Sequence, residues 1–298
     1  MISKNEIHAF KHLPTTVTTL SKTLHISPAS ASKISDKLIN NGLATKHRNG
    51  KTVQIEKQTT PLAQKLEETL RLFPRLPLEN ILTHSQLTFI ATLTSPLKTE
   101  ELCTLLGVTR QWIHKTVTNL STYGILLKDT QGYSINPTHR PLLEFATSYF
   151  EFQNYKTLST ITDDAILLWQ HGTEFLFKTR QEFPTIQKTA VSIYATYQLP
   201  LLSEMTYYYH AQRTLDVRDT ILHTILIDPH SKTYNSYALL LYEQTHPNNL
   251  LEKARFYNLT EHVHSLFNYL QDQTASAPFH PAWTDYQALR KQYRVDTK

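Results

Sequence analysis

Ser27–Lys57 reads SPASASKISDKLINNGLATKHRNGKTVQIEK, and its reading decides how the rest of the chain is understood. Ser27-Pro28 opens a helix, with serine as N-cap and proline at the first helical position. Ala31, Ile34 and Leu38 recur at helical spacing and give one apolar face. Ser30, Ser32, Lys33 and Lys37 are left pointing outward. Asn41-Gly42 ends the helix, because glycine accepts a left-handed cap without steric cost. Leu43–Arg48 and Lys51–Ile55 then read as two strands joined at Asn49-Gly50, a strong two-residue turn signal. Lys46, His47, Arg48 and Lys51 crowd the tip of that hairpin. A short helix with hydroxyls and lysines on its free face, followed by a basic hairpin, suits a nucleic-acid duplex. The helix would enter the major groove and the tip would rest on the phosphate backbone.

Upstream, Lys4–Leu13 has a helical pattern, and a second helix is expected from Pro14 to Leu24 with Val17, Leu20 and Leu24 on one face. Helix, helix, turn, helix, hairpin is the order of a winged helix-turn-helix. The charge is placed accordingly. Residues 1–60 hold nine Lys/Arg against three Asp/Glu, whereas 61–154 are balanced and 155–298 carry a net −1. The whole excess of +5 therefore traces to the first sixty residues. That concentration is the footprint expected for phosphate contacts.

Displaced by 82 residues, the pattern returns. Leu20 meets Leu102, Leu24 meets Leu106, Ser27 meets Thr109, Lys33 meets Lys115, Leu38 meets Leu120 and Gly42 meets Gly124. Matches at the cap, the core leucine and the stop glycine are the ones such a unit needs, so two winged helices are expected. His84–Leu93 and Leu97–Leu106 supply the first two helices of the second unit, and Ile125–Lys128 with Tyr133–Ile135 its shorter hairpin. Its outward helix face carries Arg110, Gln111, His114, Lys115 and Thr118; arginine and glutamine can read guanine and adenine bidentately. With no net charge on this segment, packing against protein is the alternative role. Between the units, Pro61–Phe73 reads as a linker or packing helix; after them, His139–Tyr155 reads as the connection to a third region or as a dimerisation helix.

Beyond Asp163 the texture changes. Ala165–Trp169, Glu174–Lys178, Val191–Tyr194 and Met205–Tyr209 read as strands. Val217–Ile227, Tyr234–Gln244, Leu250–Tyr257, Glu261–Gln271 and Trp283–Val295 read as helices, Asp216 and Asp219 forming a capping box for the first of them. The expected fold class is α+β, with two winged helix-turn-helix domains (1–60 and 79–137, separated by a linker at 61–78) and a connecting helix (138–155). A sheet-plus-helices domain follows at 156–298.

The two repeat units resemble the winged helix-turn-helix domains of MarR- and ArsR-type regulators. The resemblance rests on Leu20, Leu24, Ser27, Ala31-Ser32-Lys33, Leu38 and Gly42-Leu43-Ala44, and on Leu102, Leu106–Arg110, Leu120 and Gly124-Ile125. The C-terminal part, through Leu168–Leu176, Leu222–Leu226 and Ala254–Tyr257, resembles the domain that follows a winged helix in AbiEi-type antitoxins and related archaeal regulators. That resemblance implies repression of the protein's own operon and a nucleotidyltransferase partner.

Other chemistry finds little footing. One cysteine, Cys103, excludes an internal disulfide and reads as a small core residue. No apolar run approaches a membrane span, and the first residues have no signal-peptide core, so a cytoplasmic protein is expected. Of the fifteen histidines, His262 and His264 diverge on a helix. His223 reads as a hydrogen-bonded core residue, and His210, His230, His246 and His280 read as scattered surface positions. No metal, no cofactor and no catalytic residue is assigned. Asp163, Asp164 and Glu174 read as capping or turn residues, and Tyr207-Tyr208-Tyr209 as a half-buried strand. The expectation is a non-enzymatic regulator binding double-stranded DNA, with a homodimer or a protein partner of residues 156–298 as further associations. An antitoxin-like protein that neutralises its partner is the alternative.

Overall fold

The computed structural model describes residues 3–50 and 52–295, the side chain of Asn49 excepted. The chain divides into two compact units, Met1–Lys156 and Thr157–Lys298. Helices and small antiparallel sheets build both, so the composition is α+β.

In the first unit, α1 (Lys4–Lys11), β1 (Thr15–Thr16), α2 (Val17–Thr23) and α3 (Pro28–Asn40) precede the hairpin β2 (Ala44–Asn49) and β3 (Thr52–Lys57). Pro14 does not open α2. Thr15 and Thr16 instead pair with Ile55 and Gln54 as an edge strand, and the Thr16 hydroxyl then caps α2 by accepting from the Thr19 N–H. The hairpin loop also lies one residue later than expected. Asn49 pairs with Thr52, and Gly50, at φ +61°, takes the first loop position. Ile7, Phe10, Leu20, Ala31, Ile34, Leu38, Leu43 and Ile55 close the core beneath α3. Each large aliphatic side chain so buried contributes about 1.5–3 kcal/mol.

Next come α4 (Pro61–Leu72), α5 (Leu78–Ile81), α6 (His84–Thr92), α7 (Thr99–Leu106), α8 (Arg110–Thr122), β4 (Leu126–Lys128) and β5 (Tyr133–Ile135). The offset of 82 carries over to the helix bounds: α3 runs 28–40 and α8 runs 110–122. Ser27 and Thr109 cap them alike, and Gly42 and Gly124 end them at φ +70° and +67°. Leu97, equivalent to Thr15, likewise adds an edge bridge, pairing with Tyr133. Gly132 is required there, since a Cβ on it would lie 2.2 Å from the Leu97 carbonyl oxygen. After a 3-10 turn at Pro137–His139, α9 (Arg140–Ile161) begins.

The second unit holds a four-stranded sheet of order β6-β7-β9-β8, with β6 (Ile166–His171), β7 (Glu174–Thr179), β8 (Gln187–Lys188) and β9 (Thr206–His210). Helices α10 (Val217–Ile227), α11 (Lys232–Thr245), α12 (Leu250–Ala254), α13 (Thr260–Asp272) and α14 (Trp283–Tyr293) follow. Val191–Tyr194, expected as a strand, lies instead in a 3-10 helix, Ala190–Tyr197. Val191 and Tyr194 are buried at a spacing of three, which suits three residues per turn. The edge position falls to Gln187–Lys188, paired with Tyr209 and Tyr208. Tyr207, Tyr208 and Tyr209 are all buried rather than half-buried, because β9 is an interior strand covered on both faces. The Asp216–Asp219 capping box forms at the start of α10 as expected. Among the described residues, no helix is long and apolar enough to cross a membrane.

Candidate functional site

The outward face of α3 follows from its buried one. With Ala31, Ile34, Ser35 and Leu38 inside, the line farthest from the core is Ala29, Lys33, Asp36 and Asn40. Ser30 and Lys37 flank it on one side and Ser32 on the other. Lys33 is exposed and has no ion pair among the described residues. Ser30 shares its hydroxyl with the cap, 2.9 Å from the Ser27 hydroxyl, while Ser32 is half-buried. The Lys37 ammonium stands 3.9 Å from Glu6, a fully buried carboxylate that also accepts from Ser3 and Asn41.

The hairpin closes one side of this face. Lys46 donates to Asp36 across the gap between β2 and α3. Arg48 is exposed and donates from Nε to the Gly50 carbonyl at 3.3 Å, and His47 stands 3.9 Å from Glu56. Lys51 lies outside the described residues. Sequence reading missed Asp36 and Asn40, which occupy the middle of the face. Counting outward from Ala29 at spacings of four, three and four would have found them.

At α8 the equivalent outward line is Gln111, Lys115, Thr118 and Thr122, with His114 exposed beside it. Arg110 is bound to Glu100 on α7 at 2.8 Å. Trp112 is half-buried, its ring 6.3 Å from Phe89, so it packs inward.

The C-terminal end of α3 is held by α9. The Phe152 ring lies over Gly42, where a Cβ would come within 2.6 Å of it. Gln153 donates to the Asn41 side chain at 3.4 Å, and Lys156 to the Asn40 carbonyl at 3.2 Å.

In the second unit a buried ionic cluster forms around Arg213. Its Nε and Nη2 donate to Glu174 at 2.9 and 3.0 Å, and its Nη1 to both oxygens of Asp219 at 3.0 Å. Nη2 also donates to the Tyr257 hydroxyl at 2.8 Å. The guanidinium is thus fully engaged. Tyr209 donates to Glu174, Tyr257 to Asp219, and Lys253 to Asp219 and Asp216. Burial raises the Glu174 carboxyl, and Arg213 only partly offsets it. Burial acts on Asp219 in the same sense, but Arg213 and Lys253 outweigh it and hold that carboxyl low. His223 is pushed down to about 3 by burial, between the Thr189 hydroxyl at 2.7 Å and the Tyr257 hydroxyl at 2.9 Å.

Glu174 is therefore not a turn residue. Glu174 and Asp219 converge on one arginine, which sequence reading could not place because each looked locally explained. His280, expected at the surface, is buried beside Tyr269 and accepts from the Ser276 N–H at 3.2 Å. His223 is the hydrogen-bonded core residue expected. Among the described residues, no group of three or more His, Cys, Asp and Glu could hold a metal.

Residues 184–295 match a family model described as HVO_2833_C, C-terminal. The match takes in Arg213, Asp219, His223, Lys253 and Tyr257 and leaves the first unit uncovered. No curated protein and no solved structure matches the chain.

Proposed function

We propose that the chain is a sequence-specific regulator binding double-stranded DNA, in which α1–α3 with the β2–β3 hairpin act as a winged helix-turn-helix. One observation carries this reading: the exposed α3 face, with Lys33 at its centre line, lies beside a hairpin bearing Lys46, His47 and Arg48. This surface belongs to the sixty residues that hold the chain's excess positive charge. In this reading α3 enters the major groove, Ser30, Ser32, Lys33 and Lys37 face bases or phosphate, and Lys46, Arg48 and Lys51 hold the flanking backbone. The second module, through Arg110, Gln111, His114 and Lys115, serves a neighbouring groove or a protein contact. Selection from a pool of random duplexes with the purified full chain tests the proposal. An enriched sequence bound at least a thousandfold more tightly than bulk duplex would support it; no enrichment would overturn it.

For the second unit we propose a partner-binding role without catalysis, the alternative expressed in an antitoxin. The observation favouring it is β6, a six-residue edge strand without Lys, Arg, Asp or Glu and with Ile166 exposed. Such an edge can accept a strand from another chain. The carboxylates of the Arg213 cluster are spent on each other's cations, which suits a structural role.

A further inference from the structure

We propose that Asp36 discriminates bases at the duplex contact of α3, by accepting a hydrogen bond from the exocyclic amino group of a cytosine in the major groove. The inference rests on the DNA-binding reading above and gives it a chemical preference. Asp36 stands on the centre line of the outward face, its side chain 54% exposed. One carboxylate oxygen, Oδ1, accepts from Lys46, whose own side chain is only 32% exposed. The other oxygen has no partner among the described residues.

As a clasp between helix and hairpin this pair is worth little, since ion pairs open to solvent contribute at most about 1 kcal/mol. As a recognition element its geometry is apt. Lys46 fixes the carboxylate in one orientation and offsets its repulsion from phosphates, leaving a single oriented acceptor. Guanine presents two acceptors on its major-groove edge and thymine one, so both repel a carboxylate. Adenine offers an amino group, but beside it lies the N7 acceptor. In the base pair adenine's amino group is flanked by two acceptors, its own N7 and the thymine O4, whereas cytosine's is flanked by one, the guanine O6, so cytosine is the base this oxygen selects. At the equivalent place in the second module stands Thr118, a hydroxyl that can donate as well as accept. A second module set against a duplex would therefore carry a different base preference at this position.

The experiment is duplex selection with the full chain as wild type, Asp36→Asn and Lys46→Gln, followed by affinity measurements on single-base variants of the enriched sequence. Wild type should fix one cytosine, and replacing that base should cost about tenfold or more in affinity. Asp36→Asn should lose that discrimination to within about twofold and keep the other positions of the sequence. Lys46→Gln should keep the cytosine and bind every duplex more weakly. An unchanged cytosine requirement in Asp36→Asn overturns the inference while leaving DNA binding intact, and so does uniformly tighter binding with the same sequence. Absence of any enriched sequence for wild type overturns the DNA-binding reading itself, and this inference with it.

Discussion

Acidification should weaken the second unit through one histidine, and the size of the effect follows from where that histidine sits. His223 is fully buried, and its imidazole is hydrogen-bonded to two neutral hydroxyls. Burial brings it from 6.5 to about 3. Below 6.5 the unfolded chain takes up a proton that the folded chain refuses, so stability falls as pH drops towards the folded value. Its contribution is full above 6.5, and by pH 5 the loss through this group alone reaches about 2 kcal/mol. Asp216 and Asp219 have lowered values, so the stability they supply is lost mainly below the ordinary carboxylate range. Glu174, raised by burial, works in the opposite sense and is common to wild type and variant. The perturbation is His223→Gln, which keeps a donor and an acceptor but cannot titrate. Urea unfolding at pH 8 and pH 5, in a Trp112→Phe background, leaves Trp169 and Trp283 as reporters of this unit. Trp169 lies 5.1 Å from Tyr257, inside the cluster. Wild type should lose about 2 kcal/mol more than the variant between the two pH values. Equal losses would refute the reasoning, because His223 would then take up its proton as readily in the fold as in the unfolded chain.

Arg213→Met leaves Glu174 and Asp219 buried together without their shared cation, and should cost the second unit about 3–5 kcal/mol by the same unfolding assay; a loss below about 1 kcal/mol would count against a buried pair. Gly132→Ala must relieve both a φ of +132° and the contact with the Leu97 carbonyl. It should destabilise the first unit by roughly 1–3 kcal/mol in thermal melts followed by circular dichroism. Charge reversal at Lys33 or Arg48 should weaken DNA binding and reduce the slope of log affinity against log salt by about one for each phosphate no longer neutralised.

Much of the first unit was legible because its signals are local. A serine cap, a proline at the first turn and a glycine stop bound α3, and the 82-residue offset transferred those bounds to α8. What local signals hid was competition. Pro14 looked like a helix start, yet the threonines after it were claimed by the sheet and by the cap of α2. Val191–Tyr194 alternates like a strand in a window too short to separate two residues per turn from three. The face of α3 was legible as a lysine and hydroxyl surface, and helical spacing places Asp36 on it, but the contact of Asp36 with Lys46 on β2 depends on how the hairpin packs against the helix. The Arg213 cluster was invisible for a related reason: Glu174 follows a turn and Asp219 completes a capping box, so each carboxylate already had a sufficient local explanation.

Gly42 and Gly124 occupy the same place in the two copies, and each passes its carbonyl to a side chain, Thr60 and Asn136 respectively, at 2.9 Å. Only the first is roofed by an aromatic ring; around the second, a methyl group would meet nothing within 4 Å. A repeated architecture has thus received unequal bracing. Growth at position 42 demands that the Phe152 ring give way, whereas position 124 answers only to its own backbone. A side chain introduced at the first corner therefore meets two obstacles, a positive φ and an aromatic ring, and at the second only the positive φ.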